Sequence, residues 1–293
     1  MRRVGFQFPD DLDPLWNPEQ PEWSHMVNGM SLTMPYLEPF LIKSVASVID
    51  QITDEPMRAA AQAFVSQEAQ HFQTHRRYNE VLKRNGYPQL AEVESAMQKS
   101  YERIEQKRSL KFRLAYTSGF EVMTPDVTRW LCEERRKLFA RSDTRVASFI
   151  LWHFVEEGEH KNVAFDAYQN AYGGYVYRVI GGLYAPLHMI WYARRGTVVM
   201  LKQDGRWRNP RARIRAWMRL ASFLGAVVPG ILRGFRPGHD PRKIDDPQWA
   251  QDWIAGWDAG PASNDPPLLD TSHPDLPVPF PRPSLSQSQG APS

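Results

Sequence analysis

Two short windows of the sequence carry the residues best suited to metal chemistry. Each contains the motif Glu-x-x-His: Glu68 with His71, and Glu157 with His160. Residues three apart lie on the same face of an α-helix, so each pair can direct a carboxylate and an imidazole toward one point. One helical turn away, each window adds a further histidine, His75 in the first and His153 in the second. The pattern predicts two metal-binding helices with nearly mirror-image motifs.

Two isolated acids precede these motifs at similar distances. Glu38 lies 30 residues before Glu68, and Glu121 lies 36 residues before Glu157. This spacing suits neighbouring antiparallel helices that return to the same level. Both acids have apolar or aromatic neighbours, and a carboxylate on a buried face is costly unless it is paired or binds a metal. We therefore expect both acids to join the site, with a distorted turn at Glu38, which has a nearby proline on each side.

Other acids and histidines in similar patterns have simpler interpretations. A third Glu-x-x-His, Glu22 with His25, lies in a segment rich in Pro and Trp, and we interpret it as coincidental. Glu156 and Glu159 belong to the acidic run around Glu157, and we expect them at the surface or in support of the ligands.

The elements that must position these residues are helices. Asp54 and Pro56 mark a helix start, and no further Gly or Pro occurs before Gly86, which predicts one long helix. Further helices are predicted at about 89–107, from about 109 with a break near Pro125, and at about 142–171. No alternating strand of convincing length is present. The predicted fold class is all-α, a helical bundle with an additional C-terminal helical region that is hydrophobic and basic.

The chain divides by composition into four parts. We predict an N-terminal arm at 1–30, the bundle at 31–173, an apolar and basic helical extension at 174–259, and a Pro-rich disordered tail at 260–293, which holds nine of the 24 prolines. From Arg194 to Lys243 there are 13 Lys or Arg but only two Asp. The extension either packs on the bundle or docks peripherally on a membrane. Its apolar runs are too long and too aliphatic for a nucleic-acid surface, so no nucleic-acid partner is expected.

Composition also limits compartment and chemistry. The single cysteine, Cys132, excludes a disulfide scaffold and a cysteine-ligated metal cluster. The N-terminal residues lack the apolar core of a signal peptide. The sequence also contains no uncharged apolar run of 18 residues, so a conventional membrane span is not expected. We therefore expect a cytoplasmic protein, peripheral on the inner face of the cell membrane if the extension docks there.

The predicted ligands resemble those of known metal proteins. The ordered set of acids and histidines is similar to that of the ferritin-like di-iron carboxylate superfamily over about residues 31–172. That set consists of Glu38, Glu68, His71, Glu121, Glu157 and His160. With His153, the last motif becomes His-x-x-x-Glu-x-x-His, which is similar to that of arylamine N-oxygenases. The wider text at 152–166 resembles a bacterial family labelled predicted metal-dependent hydrolases.

The resemblance implies two bound metal ions, with iron first and manganese or zinc also compatible with carboxylate and imidazole ligands. His75 is then an extra ligand or a supporting residue. The implied function is dioxygen activation on a hydrophobic or lipid-like substrate, with carboxylate shifts by Glu121 or Glu157 and electrons from a ferredoxin or reductase. Hydrolysis of an ester or phosphate is the main alternative. A non-catalytic metal-binding bundle is a third, and a homodimer is left open.

Overall fold

The computed structural model describes residues 2–261 and 263–281. Within these ranges the backbone forms helices, turns and coil without a strand, which confirms the predicted all-α bundle. The α-helices are α1 (Pro21–Ser31), α2 (Met34–Ala46), α3 (Glu55–Arg84), α4 (Leu90–Lys107), α5 (Leu110–Glu121), α6 (Thr124–Glu133), α7 (Arg135–Phe139), α8 (Thr144–Glu159), α9 (Val163–Ala171), α10 (Tyr175–Gln203), α11 (Pro210–Gly234) and α12 (Gln248–Ala259).

Local capping fixes where the site-bearing helices begin. The Asp54 side chain accepts a hydrogen bond from the Met57 amide at 2.8 Å, which starts α3 as the sequence predicts. Asp143 accepts from the Val146 amide at 3.3 Å and caps α8 in the same way. Such caps satisfy amides that have no partner within the helix. They set the register in which the ligand residues of α3 and α8 face the interior.

Two predicted helices are interrupted beside the site. The helix predicted at 142–171 is instead two helices, because α8 ends at Glu159 and α9 begins at Val163, with His160 at the junction. The break predicted near Pro125 is present, since α5 ends at Glu121 and α6 begins at Thr124. By contrast, α2 continues through its internal Pro39 without a break.

The residues predicted as an N-terminal arm belong to the core. They include α1, and Phe6, Trp16 and Trp23 are each at most 2% exposed. The Phe6 ring lies 5.3 Å from the ring of Trp152, which precedes the histidine of the last motif. The aromatic side chains of this segment therefore pack against the bundle.

The extension packs on the bundle through close helix contacts. Helix α10 crosses α5 where Gly181 meets Ala115, and a Cβ added at Gly181 would lie 1.9 Å from the Ala115 carbonyl oxygen. Gly181 therefore lies inside one continuous helix and permits the crossing. By length and composition, α11 could cross a membrane, and only 17% of its apolar window is buried.

Residues 263–281 of the predicted tail pack against the rest of the protein. The Arg141 amide donates to the Thr271 carbonyl at 2.8 Å, and the Trp249 indole donates to the Leu276 carbonyl at 3.0 Å. Leu269 and Leu276 are buried. These contacts hold a proline-rich segment that cannot form a helix. The remainder of the predicted tail, residues 282–293, lies outside the described residues.

We expect Gly181→Ala to destabilise the protein by about 2 kcal/mol or more, because the added methyl group collides with backbone of α5. The matched control is Gly225→Ala in α11, where an added Cβ meets nothing within 4 Å. Alanine should stabilise that exposed helical position by about 0.5–1 kcal/mol. Urea unfolding of both variants measures the difference, and equal midpoints would contradict the crossing.

Candidate metal centre

All seven predicted ligands converge in the interior of the bundle. Each is at most 3% exposed. The ligands come from α2 (Glu38), α3 (Glu68, His71), the end of α5 (Glu121), α8 (His153, Glu157) and the residue after α8 (His160). Residues up to 122 positions apart in sequence therefore meet at one place.

Two groups of these side chains are compact enough to hold a metal ion, because their donor atoms lie within 4.8 Å of one another. One group comprises Glu68, His71, Glu157 and His160, and the other comprises Glu38, His71 and His153. Every member is buried, unlike the exposed acidic groups that are common on protein surfaces. The cluster has the donor types and spacing of a metal site.

Glu68 and Glu157 each face both sides of the cluster. Glu157 Oε1 lies 2.8 Å from His153 Nε2, whereas its Oε2 lies 4.0 Å from His160 Nδ1. Glu68 Oε2 lies 3.9 Å from His71 Nδ1, whereas its Oε1 lies 3.6 Å from His160 Nε2. The two central carboxylates therefore separate His71 and His153 on one side from His160 on the other.

The two isolated acids occupy opposite ends of the cluster. Glu38 Oε1 lies 3.7 Å from His153 Nε2, and Glu121 Oε2 lies 4.0 Å from His160 Nδ1. The Thr124 hydroxyl lies 3.3 Å from Glu121 Oε2 and 3.1 Å from the Glu121 carbonyl oxygen, so it can donate to either and packs against that carboxylate. Each end thus pairs one terminal acid with one histidine.

Unpartnered polar atoms test whether the cluster suits a cation. Within the described residues, nine buried donor atoms of the cluster have no hydrogen-bond partner. They are both oxygens of Glu38 and of Glu68, one oxygen each of Glu121 and Glu157, Nδ1 of His71, and both ring nitrogens of His160. Buried polar atoms are normally satisfied, and such a concentration would be strongly destabilising without a ligand. The residues therefore fit a bound metal.

A chain of hydrogen bonds fixes the tautomer of His153. The Asn79 amide donates to the Ser31 carbonyl, so Asn79 Oδ1 accepts from the Ser31 hydroxyl at 2.8 Å. The Ser31 oxygen then accepts from His75 Nδ1 at 2.8 Å, and burial, together with the nearby His153, lowers the pKa of His75 well below its usual value and keeps it neutral. His75 Nε2 must therefore accept from His153 Nδ1 at 2.7 Å. This leaves the lone pair of His153 Nε2 directed at Glu157, where a cation would bind.

His75 is accordingly a supporting residue in this structure. Both of its ring nitrogens are engaged, with Ser31 and with His153, and it belongs to neither compact group. His75 is therefore placed to orient His153, a predicted ligand.

Glu156 performs a similar role for His71. Its carboxylate is fully buried and accepts a hydrogen bond from His71 Nε2 at 3.0 Å, which leaves Nδ1 free to face Glu68 and Glu157. Arg2 lies 3.7 Å from Glu156 and balances its charge. A carboxylate behind a histidine is the usual outer support of a metal-binding imidazole.

Three of the four cluster acids resist ionisation. Burial and the charge of Glu68 raise the pKa of Glu38 well above its usual value. Burial and the charge of Glu157 raise the pKa of Glu68 to about 7, and the same two causes raise the pKa of Glu121. Glu157 differs: burial opposes its charge, but the neighbouring His160 and His71 hold its pKa well below the usual value.

The structure resolves the ambiguous motif and reveals residues that the sequence did not indicate. Glu22 pairs with Arg215 at 2.7 Å and His25 with Asp204 at 2.6 Å, so the third Glu-x-x-His lies outside the cluster, as predicted. Ser31, Asn79 and Arg2 support the cluster without any motif, because their positions depend on packing between distant segments. Glu156 was expected at the surface or in support, and it is buried in support of His71.

Glu156→Gln should weaken metal affinity by about 10- to 100-fold, because the neutral amide supports the His71 ring less strongly. Glu159→Gln is the matched control, since Glu159 is exposed and contacts Arg2 but no histidine of the cluster. Competition with a coloured chelator measures both affinities. Equal affinities would show that Glu156 does not support a ligand.

Metal affinity should fall as the pH drops below about 7. The raised pKa values mean that Glu38, Glu68 and Glu121 hold protons at low pH in the metal-free protein, and a cation must displace these protons. We expect about a tenfold loss of affinity per pH unit for each displaced proton. Calorimetric titration with Zn²⁺ in two buffers of different ionisation enthalpy measures proton release. Zero release at pH 6 would contradict these shifts.

Comparison with known proteins gives one family. The sequence model of the family described as predicted metal-dependent hydrolase matches residues 1–245. The curated proteins and the solved structures contain no significant match. The matched region includes every residue of the buried cluster, and the chain belongs to the predicted metal-dependent hydrolase family.

Proposed function

We propose that the protein is a dinuclear metal enzyme that hydrolyses an ester or phosphate. The observation that carries the proposal is the pair of central carboxylates, Glu68 and Glu157, each of which faces histidines on both sides. Carboxylates with this placement bridge two ions in dinuclear sites of helical bundles. Four cluster carboxylates carry a formal charge that two divalent cations would neutralise.

The proposed ligand sets follow the two ends of the cluster. Glu38, His71 and His153 would hold one ion, and Glu121 and His160 would hold the other. Glu68 and Glu157 would bridge them. The set of carboxylates and imidazoles suits iron, manganese or zinc. We propose that these residues form the ligand set of the ferritin-like di-iron carboxylate superfamily.

Two observations support hydrolysis. The family is described by that reaction. In addition, a cavity of about 470 Å³ opens to solvent beside His160 and is lined partly by the polar groups of Arg2, Gln67 and Asp258. It provides a path for water and for a polar leaving group. A bound pair of divalent ions would acidify water and polarise the scissile carbonyl or phosphoryl group.

The protein's own residues would hold that centre in order. His75 and Glu156 fix the rings of His153 and His71, and Thr124 packs against Glu121. Low-pKa Glu157 stays ionised between the two ligand sets. These groups restrict the ligands before substrate binds, which lowers the reorganisation needed during reaction.

Dioxygen activation is the second candidate, and one observation favours it. A cavity of about 30 Å³ touches His153 and His75 on the side opposite the polar opening, and its walls are mostly apolar. Such walls would exclude water from a reactive oxidant. This function would require electrons from a ferredoxin or reductase.

Three measurements on metal-loaded protein separate the candidates. We expect about two metal ions per chain, release of p-nitrophenol from an aryl ester or aryl phosphate, and no dioxygen uptake by the anaerobically reduced iron form. Dioxygen uptake without ester or phosphate cleavage would replace hydrolysis by oxygenation. Metal binding with neither reaction would support the non-catalytic alternative.

Variants test the site itself. Glu68→Ala should lose most bound metal and reduce turnover by at least about 100-fold, because it removes a proposed bridge. The control Glu92→Gln, which changes an exposed glutamate of α4 outside the cluster and the polar cavity, should retain both metal and turnover. Unchanged metal content in a folded Glu68→Ala protein would contradict the assignment.

A further inference from the structure

Helices α10 and α11 expose apolar side chains along one stripe each. The stripe on α10 repeats every three or four residues, and its members are 40–67% exposed. It consists of Val176, Ile180, Leu183, Leu187 and Trp191. The stripe on α11 is interrupted: Ile214, Trp217 and Met218 lie near its start, and Val228 and Leu232 lie near its end. A soluble helix normally turns such a face toward the core.

The charge around these stripes is almost entirely positive. Residues 175–236 contain 12 Lys or Arg and one acid, Asp204. Asp204 is already engaged by His25 at 2.6 Å and by Tyr87 at 2.9 Å. Across the described part of the chain, Arg208 and Arg211 have no carboxylate within 4 Å, and both are exposed. Exposed apolar residues flanked by free arginines complement the surface of a membrane with anionic headgroups.

An apolar cavity opens beside the two stripes. It measures about 60 Å³ between α1, α10 and α11 and includes Ile190, Trp217 and Leu220 in its lining. Its lining is mostly apolar and also includes Arg194, Thr197 and Glu22, whose carboxylate pairs with Arg215. We name it the outer cavity, and we name the cavity beside His153 the inner cavity.

The two cavities share a wall. Met30 and Phe223 line both the outer and the inner cavity. Movement of these two side chains would join the exposed face of the extension to His153 in the cluster. The polar opening beside His160 lies on the other side of the cluster and is separate from this path.

Methionines mark the path. Met26 lines the outer cavity, Met30 lines both cavities, and Met34 lines the inner cavity. They are spaced four residues apart along α1 and the start of α2. Methionine side chains are unbranched and adaptable, so they can make room for a flexible chain without a change of backbone.

We propose that the α10–α11 face docks on an anionic membrane, and that one aliphatic chain of a membrane lipid passes through the outer cavity, between Met30 and Phe223, to His153. The exposed apolar and basic surface supports the docking, and the two adjoining cavities support the path of the chain. Only the conversion of that lipid at the cluster rests on the proposed function. The substrate class would then be a lipid whose reactive group follows an unbranched hydrocarbon chain.

Flotation of the full, zinc-loaded chain with vesicles tests the docking. We expect binding to phosphatidylcholine vesicles containing phosphatidylglycerol, and at least about tenfold weaker binding to pure phosphatidylcholine. Leu187→Asp together with Trp191→Asp should weaken binding at least about tenfold. The control is Leu268→Asp, which replaces an exposed leucine outside α10 and α11. Equal binding of the double variant and the control would overturn the docking.

Crosslinking tests the path, independently of turnover. A palmitoyl lipid with a diazirine near the end of its chain is incorporated in the same vesicles and photolysed, and the labelled residues are identified by mass spectrometry. We expect labels on Met30 and Met34. Met30→Trp, which fills the shared wall, should reduce labelling of Met34 several-fold without reducing vesicle binding. If this variant does not fold, Phe223→Trp serves the same purpose.

The outcomes separate this proposal from the proposed function. Labelling of Met34 without any hydrolysis would support the path and contradict hydrolysis. Hydrolysis of soluble esters without vesicle binding would contradict the docking alone. Labels confined to the outer surface of α10 and α11 would overturn the path.

Discussion

The main physical constraint on this structure is the unfavourable electrostatic free energy of four carboxyl groups held together away from water. These groups belong to Glu38, Glu68, Glu121 and Glu157. Each is at most 2% exposed, and most of their oxygens lack a hydrogen-bond partner in the described structure. Like charges at this separation in a poorly polarisable interior repel strongly. Protons can relieve the repulsion, as the raised pKa values show, but cations relieve it while also satisfying the imidazoles. The helices surround a site whose apo form is electrostatically unfavourable.

Support for this site extends outward in ordered layers. Ser31 and Asn79 determine which nitrogen of His75 carries a proton, and His75 determines the same for His153. Glu156 and Arg2 form a corresponding layer behind His71. Such layers fix the orientation of the imidazole rings before any ion binds. The N-terminal segment therefore supports the candidate metal centre through Arg2, although none of its described residues belongs to the compact groups.

The sequence indicated the acids and histidines that cluster in the interior, but it did not indicate their surroundings. Glu68, His71, Glu157 and His160 follow helical spacing, and Asp54 announces the start of α3, so local rules predicted them. The interruption at His160 was missed because no Gly or Pro marks it. The packing of residues 263–281 was not predicted. Prolines indicate that a segment is not helical, but they do not indicate whether it packs against the rest of the protein. The supporting roles of Arg2 and Asn79 could not be predicted from the sequence, because they arise from contacts between segments distant in sequence.

The end of α8 just before His160 would affect the route by which a metal ion reaches the buried cluster. His160 lies at the junction of α8 and α9 and also lines the solvent-facing cavity, whereas the opposite side of the cluster is covered by α1 and the extension. An ion arriving from water would therefore meet His160 first and the Glu38 end last. With the two ions of the proposed function, loading would be sequential, and the ion captured near His160 would control passage to the Glu38 end. The identity of the bound metals would then reflect the order of their supply as well as their equilibrium affinities.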